Sequence, residues 1–361
     1  MIGLTLSRYL SARFLSAIMA VFITIFGLVY LVDFVEMLRR AGDKPGVSAG
    51  FIAFLSFLRT PTVSEQVLPF CVLFGAMTAF LNLTRKLELI VARAAGVSVW
   101  QFILPPLLIA LFIGVASVAF LNPVSALMKQ RADQIELELF GGSARHGTDN
   151  TIWLRQNSVD GQSMMRFEPL NSDGTKVRDV TVYVYDLEGN FLEKIVAERG
   201  EFKPGYWKFA EASVAAPHEE LRKFHTYLLA TNLSQDEVMQ GSASPESVSF
   251  WALPKVRAEA ESAGLDDTAY RLQYQLLLAR PLLLVAMVLI AAAFSLRFFR
   301  FGGIGKMVVS GIAAGFVLYL LTKVVADLGG SGLLSTSVAA WSPAVVGSLL
   351  GALALLHQED G

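Results

Sequence analysis

Six long apolar stretches dominate the pattern of hydrophobic and polar positions along the chain. Each approaches the roughly 20 predominantly apolar residues that a helix needs to cross the hydrocarbon core of a bilayer. They cover residues 14–37, 67–83 (with an apolar approach over 51–58), 102–121, 276–296, 307–327 and 338–356. The pattern therefore predicts six transmembrane helices. The first is no cleaved signal peptide, because its apolar region is too long and no small-residue cleavage site follows it.

The long interval between the third and fourth stretches has a different period. Over residues 179–217, apolar and polar side chains alternate, as at Val182 and Val184, and turn signals occur at 188–190 and 204–205. Such runs are typical of antiparallel strands in a sandwich, a barrel or a jelly-roll-like sheet. The predicted domains are residues 1–140, 141–265 and 266–361.

A short amphipathic segment follows the second apolar stretch, at about residues 85–97. Its cations are too close together for hydrocarbon; they are Arg85, Lys86 and Arg93. Its apolar residues recur at helical spacing along one face; they are Leu87, Ile90, Val91 and Ala94. Glu88 is the one acidic residue. This spacing predicts a short helix at the membrane surface.

Composition and charge placement fit a membrane protein with a defined orientation. The chain is 54% hydrophobic and 17% charged, far from a soluble domain. If there are six spans, three groups of cations fall on one side: Arg8 and Arg13; Arg85, Lys86 and Arg93; Arg297, Arg300 and Lys306. Short cytoplasmic loops are enriched in such residues, so we expect both termini in the cytoplasm and the 141–265 interval outside. Arg39, Arg40 and Lys44 lie on the opposite side and argue against this orientation.

The sequence offers no catalytic, metal or cofactor site. The single Cys71 excludes an internal disulfide. The histidines outside the spans have no metal-ligand spacing and are interpreted as surface or edge-strand residues; they are His146, His218 and His225. The glycine-rich turn around residues 301–307 is no phosphate loop, because Arg300 and Met307 occupy the positions that need Gly and Ser or Thr. We therefore expect no ATPase in this chain, and its net charge of −1 does not favour nucleic acid.

Two pairs of glycines predict close helix packing. Gly311 and Gly315 lie four apart in the fifth stretch, and Gly347 and Gly351 lie four apart in the sixth. Such pairs let another helix backbone approach closely, either within this chain or from a second subunit. The fifth stretch is the candidate for a subunit interface.

Charges near the outer ends of the spans have two interpretations. These residues are Asp33, Glu36, Lys323 and Asp327. They either lie at the membrane interface, where long side chains reach water, or form a polar ring around a cavity mouth that receives a charged headgroup.

Several motifs in the same order resemble the LptF/LptG family, the permease subunits of the lipopolysaccharide exporter, and its LptG side more than its LptF side. They are DFVEMLRRAG from Asp33, PFCVLFG from Pro69, LELIVARAAGVS from Leu87, Phe140 with two glycines, Tyr206-Trp207, Tyr270 with Pro281, and GIAAGFVLY from Gly311. The resemblance runs nearly end to end. It implies an α-helical membrane protein with six transmembrane helices and an inserted all-β, jellyroll-like periplasmic domain, in the inner membrane of a Gram-negative bacterium.

The resemblance gives the amphipathic segment a function. In that family it is a coupling helix that docks on a cytoplasmic LptB-like ATPase dimer. Glu88 would then contact a basic group of the ATPase, the apolar face would enter a groove, and Gly96 would end the helix. ATP and Mg would be bound by that partner, and this chain would be a permease subunit without enzymatic activity or a cofactor of its own.

The resemblance also implies a lipid path. Spans one and five would meet those of a paralogous LptF-like subunit around a cavity for lipopolysaccharide, and the β domain would pass the lipid to LptC-like and LptA-like bridge proteins. Candidate cavity-lining residues are Phe26, Tyr30, Phe34, Phe70, Phe74, Phe316 and Tyr319. Asp33 stands where the family has a lysine, so the candidate headgroup residues are Arg39, Arg40, Lys129 and Arg131.

Two other functions compete with export. A proton-coupled secondary transporter of a lipid or amphiphile would use Asp33, Glu36 or Glu65 as a relay, although the two sets of three spans show no inverted repeat. A membrane-anchored periplasmic scaffold would not need six spans.

Overall fold

The computed structural model describes residues 4–42, 47–88, 91, 94–140, 152–158, 161–170, 175–186, 190–217, 221–231, 245–262, 267–296 and 304–360. The chain divides into two compact units. The membrane unit contains Met1–Met128 and Arg271–Gly361, and the β unit contains Lys129–Tyr270.

Among the described residues, six helices are long and apolar enough to cross a membrane, as predicted. The helices are α1 (Leu4–Ala41), α2 (Ala49–Arg85), α3 (Val99–Ala116), α4 (Asn122–Phe140), α5 (Leu253–Ser262), α6 (Thr268–Ser295), α7 (Ile304–Gly330) and α8 (Thr336–Asp360). A π-helical turn, Ser117–Leu121, joins α3 to α4, so the third span is continuous from Val99 to Glu136. The short α5 is not among the spans.

The second span is one helix of 37 residues. Its predicted apolar approach and its predicted core therefore belong to the same element, which contains Pro61 and Pro69. Ser48 caps its N-terminus by accepting a hydrogen bond from the Phe51 amide at 3.2 Å. At 1.5 Å per residue the helix is about 55 Å long, well beyond the roughly 30 Å of a hydrocarbon core. One end of α2 must therefore lie outside the hydrocarbon.

Glycines bring the helices of the membrane unit into close contact. A Cβ atom at Gly75 of α2 would lie 2.5 Å from Cα of Ile18 in α1, and one at Gly114 of α3 would lie 2.5 Å from Cα of Pro281 in α6. Phe14 and Phe80 pack edge to face beside the first crossing, with ring centroids 4.6 Å apart. Small residues at these crossings allow the dispersion contacts that hold helices together in lipid.

The β unit contains one six-stranded antiparallel sheet in chain order. Its strands are β1 (Ile152–Ser158), β2 (Gly161–Pro169), β3 (Lys176–Tyr185), β4 (Phe191–Lys203), β5 (Tyr206–Ala215) and β6 (Arg222–Ala230). Val182 and Val184 are buried as predicted, and the turn at Gly205 has φ of +89°. The inserted all-β domain is confirmed.

The sheet curls so that its first and last strands approach each other. The Gln156 amide of β1 donates to the Ala230 carbonyl at 3.4 Å and accepts from the Thr231 hydroxyl at 2.6 Å. The enclosed core is aromatic, with Trp207 at 5.1 Å from Phe202 and 5.9 Å from Phe167 between ring centroids. This curled sheet, with its strands paired in chain order, is the inserted β domain that the resemblance implies.

Candidate functional site

The segment after α2 lies between two residues with left-handed backbone. Leu87 has φ of +59° and Gly96 has φ of +83°. Between them the Val91 amide donates to the Leu87 carbonyl and the Ala95 amide to the Val91 carbonyl, both at 3.0 Å, which is helical geometry. Glycine adopts the left-handed conformation without strain, whereas leucine rarely does. The described residues Glu88, Val91 and Ala94 are thus helical, and the left-handed Leu87 separates them from α2.

The apolar residues of this segment are on the surface. Leu87 is 57% exposed and Val91 is 67% exposed, and Ala94 is also exposed. Ile90 and Arg93 lie outside the described residues, as do Lys44, His146, His218, Arg297, Arg300, Gly302 and Gly303. Val91 and Ala94 are helical and lie three residues apart, and with the exposed Leu87 they leave the described apolar side chains of this segment uncovered. We call Leu87, Glu88, Val91, Ala94 and Gly96 the coupling segment.

Glu88 is tied to the start of α1. The Tyr9 hydroxyl donates to its two carboxylate oxygens at 3.0 and 3.3 Å. Arg13 donates through Nε to the Tyr9 hydroxyl at 3.2 Å and lies 5.5 Å from the centre of its ring. Sequence reasoning missed Tyr9, because 79 residues separate it from Glu88 and no local pattern connects them.

The predicted lining aromatics fall into two groups. On α2 and α7, Phe70 lies with its ring centroid 4.7 Å from Tyr319, 6.2 Å from Phe74 and 6.4 Å from Phe316. On α1, Tyr30 stacks on Phe34 with ring centroids 6.3 Å apart. Phe26 lies one turn before Tyr30 and packs on Phe22 at 6.2 Å.

The first and fifth spans are the least covered by the rest of the chain. Only 6% of the apolar window of the first span and 17% of that of the fifth are buried, against 39 to 61% for the other four. Leu28 on α1 and Val317 on α7 are more than half exposed. These two helices therefore present the largest uncovered apolar faces among the described spans.

The paired glycines of α7 pack within this chain. A Cβ atom at Gly311 would lie 2.7 Å from Cε of Met77, and one at Gly315 would lie against Leu73, so both glycines face α2. Gly347 and Gly351 of α8 face Leu318 and Leu289 in the same way. This is the intrachain alternative of the sequence analysis. The side of α7 that carries Val317 remains uncovered.

The candidate headgroup residues are mostly engaged in local ion pairs. Arg39 and Arg40 both contact Glu36 at 2.9 Å. In the β unit Lys129 pairs with Asp133 at 3.4 Å, and Arg131 is exposed. Arg39 keeps 75% of its side chain exposed and can still meet an anion.

The three carboxylates considered as a proton relay each contact arginine. Asp33 pairs with Arg59 at 3.2 Å, Glu36 with Arg39 and Arg40, and Glu65 with Arg280. A paired carboxylate loses its ion pair when it takes up a proton, so this arrangement disfavours a relay.

On the β unit, His225 of the edge strand β6 accepts or donates a hydrogen bond at 3.0 Å with Glu211. Its side chain is 96% exposed, as expected for a surface histidine. The nearby carboxylate raises the pKa of His225 above its ordinary value through this hydrogen bond and through its charge.

Comparison with known proteins identifies relatives over almost the whole chain. The family described as lipopolysaccharide export system permease LptF/LptG matches residues 8–357. The lipopolysaccharide export system permease protein LptG of Haemophilus influenzae is 24% identical over 361 aligned residues, covering 97% of this chain and 95% of that protein. The protein of the same name from Escherichia coli K12 is 24% identical over 332 residues and covers 90% of both chains.

Proposed function

The chain belongs to the LptF/LptG family of lipopolysaccharide export system permeases, and we propose that it is the LptG-type subunit of an ATP-driven exporter. It is a multi-pass inner-membrane protein, and subunits of this family are permeases rather than enzymes. In the proposed complex it pairs with a paralogous LptF-like subunit, and a cytoplasmic LptB-like ATPase dimer binds ATP and Mg. The complex extracts lipopolysaccharide and passes it to LptC-like and LptA-like bridge proteins.

The observation that carries the proposal is the coupling segment at the end of α2. Leu87 and Val91 are apolar residues in an exposed position, and Glu88 lies between them with its carboxylate held by Tyr9. An apolar stripe with one charge is suited to docking in a groove of a partner with a complementary cation. The coupling segment directly follows α2, which is one helix of the membrane unit. A displacement of the segment would therefore be transmitted to the membrane unit along α2.

The distribution of cations supports the orientation that this docking needs. Arg8, Arg85 and Lys306 fall on the same side as the coupling segment when the six spans are counted in order. That side is the cytoplasm by the enrichment of cations in short cytoplasmic loops, and both termini share it. The β unit is then periplasmic, where bridge proteins would meet it.

The uncovered faces of α1 and α7 support the assignment of a paralogous membrane partner. Spans one and five of the two subunits would enclose the cavity, with the aromatic groups around Phe70 and Tyr30 as its apolar wall and Arg39 near its outer end. Broad aromatic surfaces suit acyl chains, and an exposed guanidinium suits a phosphate.

The test is capture of the ATPase by the detergent-solubilised permease. Replacing Glu88→Arg places a cation against a cationic partner group and should reduce the amount of captured ATPase about tenfold or more. The matched control is Lys306→Glu, an equally large charge reversal at an exposed residue on the same side of the membrane. Full capture by the Glu88→Arg variant, with transport intact in vesicles, would contradict the proposal.

A further inference from the structure

A cluster of polar side chains is buried where α2, α4 and α6 meet. Glu65 of α2 is 4% exposed, and its carboxylate is surrounded by donors. It accepts hydrogen bonds from Asn122 Nδ2 at 3.1 Å and from the Ser125 hydroxyl, both on α4. Its ion pair with Arg280 Nη1 of α6 completes the cluster. We call these four residues the Glu65 cluster.

Such a cluster is costly inside a membrane protein unless its members stay together. A charge removed from water must recover its solvation from an opposite charge and from hydrogen bonds. Glu65 obtains both, and Arg280 is only 16% exposed, so neither charge can leave the other without a large penalty. The cluster therefore constrains α2, α4 and α6 to move together at this point.

The cluster lies beside a break in the regular helix of the third span. The π-helical turn Ser117–Leu121 ends immediately before Asn122. On the other side of the turn, Gly114 is in contact with Pro281, the residue after Arg280. Helix α6 thus contacts α3 directly through Pro281 and is joined to α4 through the Glu65 carboxylate. Such turns interrupt the hydrogen-bond ladder and are places where a helix can change direction.

The Glu65 cluster lies where the chain passes between the membrane unit and the β unit. The chain leaves the membrane unit after Met128, one turn beyond Ser125, and returns at Arg271 on α6. Glu65 therefore binds the outgoing helix and the returning helix at once. It also lies on α2, whose last residue, Arg85, leads into the coupling segment.

We propose that Glu65 is a positioning residue that transmits movement of α2 to the two helices, α4 and α6, that lead to and from the β unit. This inference rests on the proposed function, in which the coupling segment moves α2. Displacement of α2 carries the Glu65 carboxylate with it, and the bonds to Ser125 and Arg280 pass the displacement to both helices while the π turn accommodates the bend.

The test compares transport with ATP hydrolysis in the reconstituted complex. Glu65→Gln with Arg280→Gln removes both charges together, which avoids leaving one buried charge unpaired. The amount of lipopolysaccharide released per ATP hydrolysed should fall about tenfold, while ATP hydrolysis and ATPase capture remain near those of the unmodified complex. A structural role alone would lower release and hydrolysis in the same proportion and leave their ratio unchanged.

A milder pair of variants keeps the test valid if the double variant does not assemble. Ser125→Ala removes one hydrogen bond to Glu65 and leaves the ion pair, so the ratio should fall about threefold. Ser64→Ala is the matched control, because within the described part of the chain the buried Ser64 hydroxyl has no hydrogen-bond partner. Glu65→Asp should restore part of the ratio relative to the double variant.

The two levels of the proposal fail in different ways. An unchanged ratio for both Ser125→Ala and the double variant would overturn the role of Glu65. If the unmodified complex released lipopolysaccharide without the ATPase, the proposed function itself would be wrong, whatever the variants did.

Discussion

At the scale of single residues, charged and polar groups of the membrane unit are placed by partners far away in the chain. Glu88 and Tyr9 are 79 residues apart, and Glu65 and Arg280 are 215 residues apart. Each contact orients the carboxylate that it holds. Long side chains with several rotamers need such contacts, because ordering them costs conformational entropy.

The Tyr9 hydroxyl should help the coupling segment bind its partner. Tyr9→Phe removes the donor that orients Glu88, and we expect the affinity of the permease for the purified ATPase to fall about threefold, which corresponds to a net hydrogen bond of about 0.5–1.5 kcal/mol. A binding titration of the purified ATPase with the permease in detergent measures this affinity. Tyr206→Phe, at an exposed tyrosine of the β unit, is the control. Stronger binding by Tyr9→Phe would mean that Tyr9 competes with the ATPase for Glu88.

The His225–Glu211 pair should make a small pH-dependent contribution to the β unit. Because the folded-state pKa of His225 is raised above its ordinary value of 6.5, the pair stabilises the fold below that pH, and the contribution is lost as pH rises through the folded pKa. The imidazole resonances of the full chain in detergent should therefore titrate above the ordinary value. Glu211→Gln should lower the midpoint; an unchanged midpoint would show that the hydrogen bond is absent in solution.

At the scale of elements, hydropathy located all six spans but not their full lengths. The second span was expected to centre on residues 67–83 with an apolar approach over 51–58, and the helix that contains both begins at Ala49. Prolines are usually read as helix breakers, whereas in a packed membrane helix neighbouring groups compensate the missing amide. The helix α2 continues through both Pro61 and Pro69.

The crossing of α1 and α2 should depend on the absence of a side chain at Gly75. Gly75→Ala would place Cβ 2.5 Å from the Ile18 backbone, so the helices must separate, and we expect a loss of about 1–3 kcal/mol in the free energy of unfolding. Gly27→Ala on α1 is the matched control, because nothing lies within 4 Å of its Cβ position. It should be neutral or slightly stabilising, since alanine favours helix. Denaturant unfolding in mixed micelles compares the two; equal stabilities would contradict the close approach.

At the scale of the whole molecule, α1 and α7 are the spans least covered by the rest of the described chain, so in the proposed complex a second membrane subunit would bind there. Photo-reactive residues at Leu28 and Val317 should form adducts with the paralogous subunit in intact cells. Leu353 on α8 is equally exposed, at 62% like Leu28, but lies on a better covered span and should remain unmodified by that partner. Adducts from Leu353 alone would show that the partner binds α8 instead, and would contradict this prediction.

The sequence predicted some features of the candidate site and left others open. The sequence indicated the coupling segment by its local period, and the aromatic residues by their type. It did not indicate that Phe70 would contact Phe74, Phe316 and Tyr319, or that Tyr30 would stack on Phe34 while Phe26 packs on Phe22. Nor could it decide between packing partners for Gly311 and Gly315, because a small-residue pair is compatible with any neighbouring helix.

The sequence by itself determined the six spans and the β interval, because crossing a bilayer and alternating along a strand are local requirements that each segment meets through its own residues. Only the tertiary structure decided which helices touch. The buried Glu65 needs donors from α4 and α6, because a charge removed from water must be paired with its three-dimensional neighbours, whichever residues adjoin it in sequence. The partly exposed Glu88 is oriented in the same way by a donor from α1.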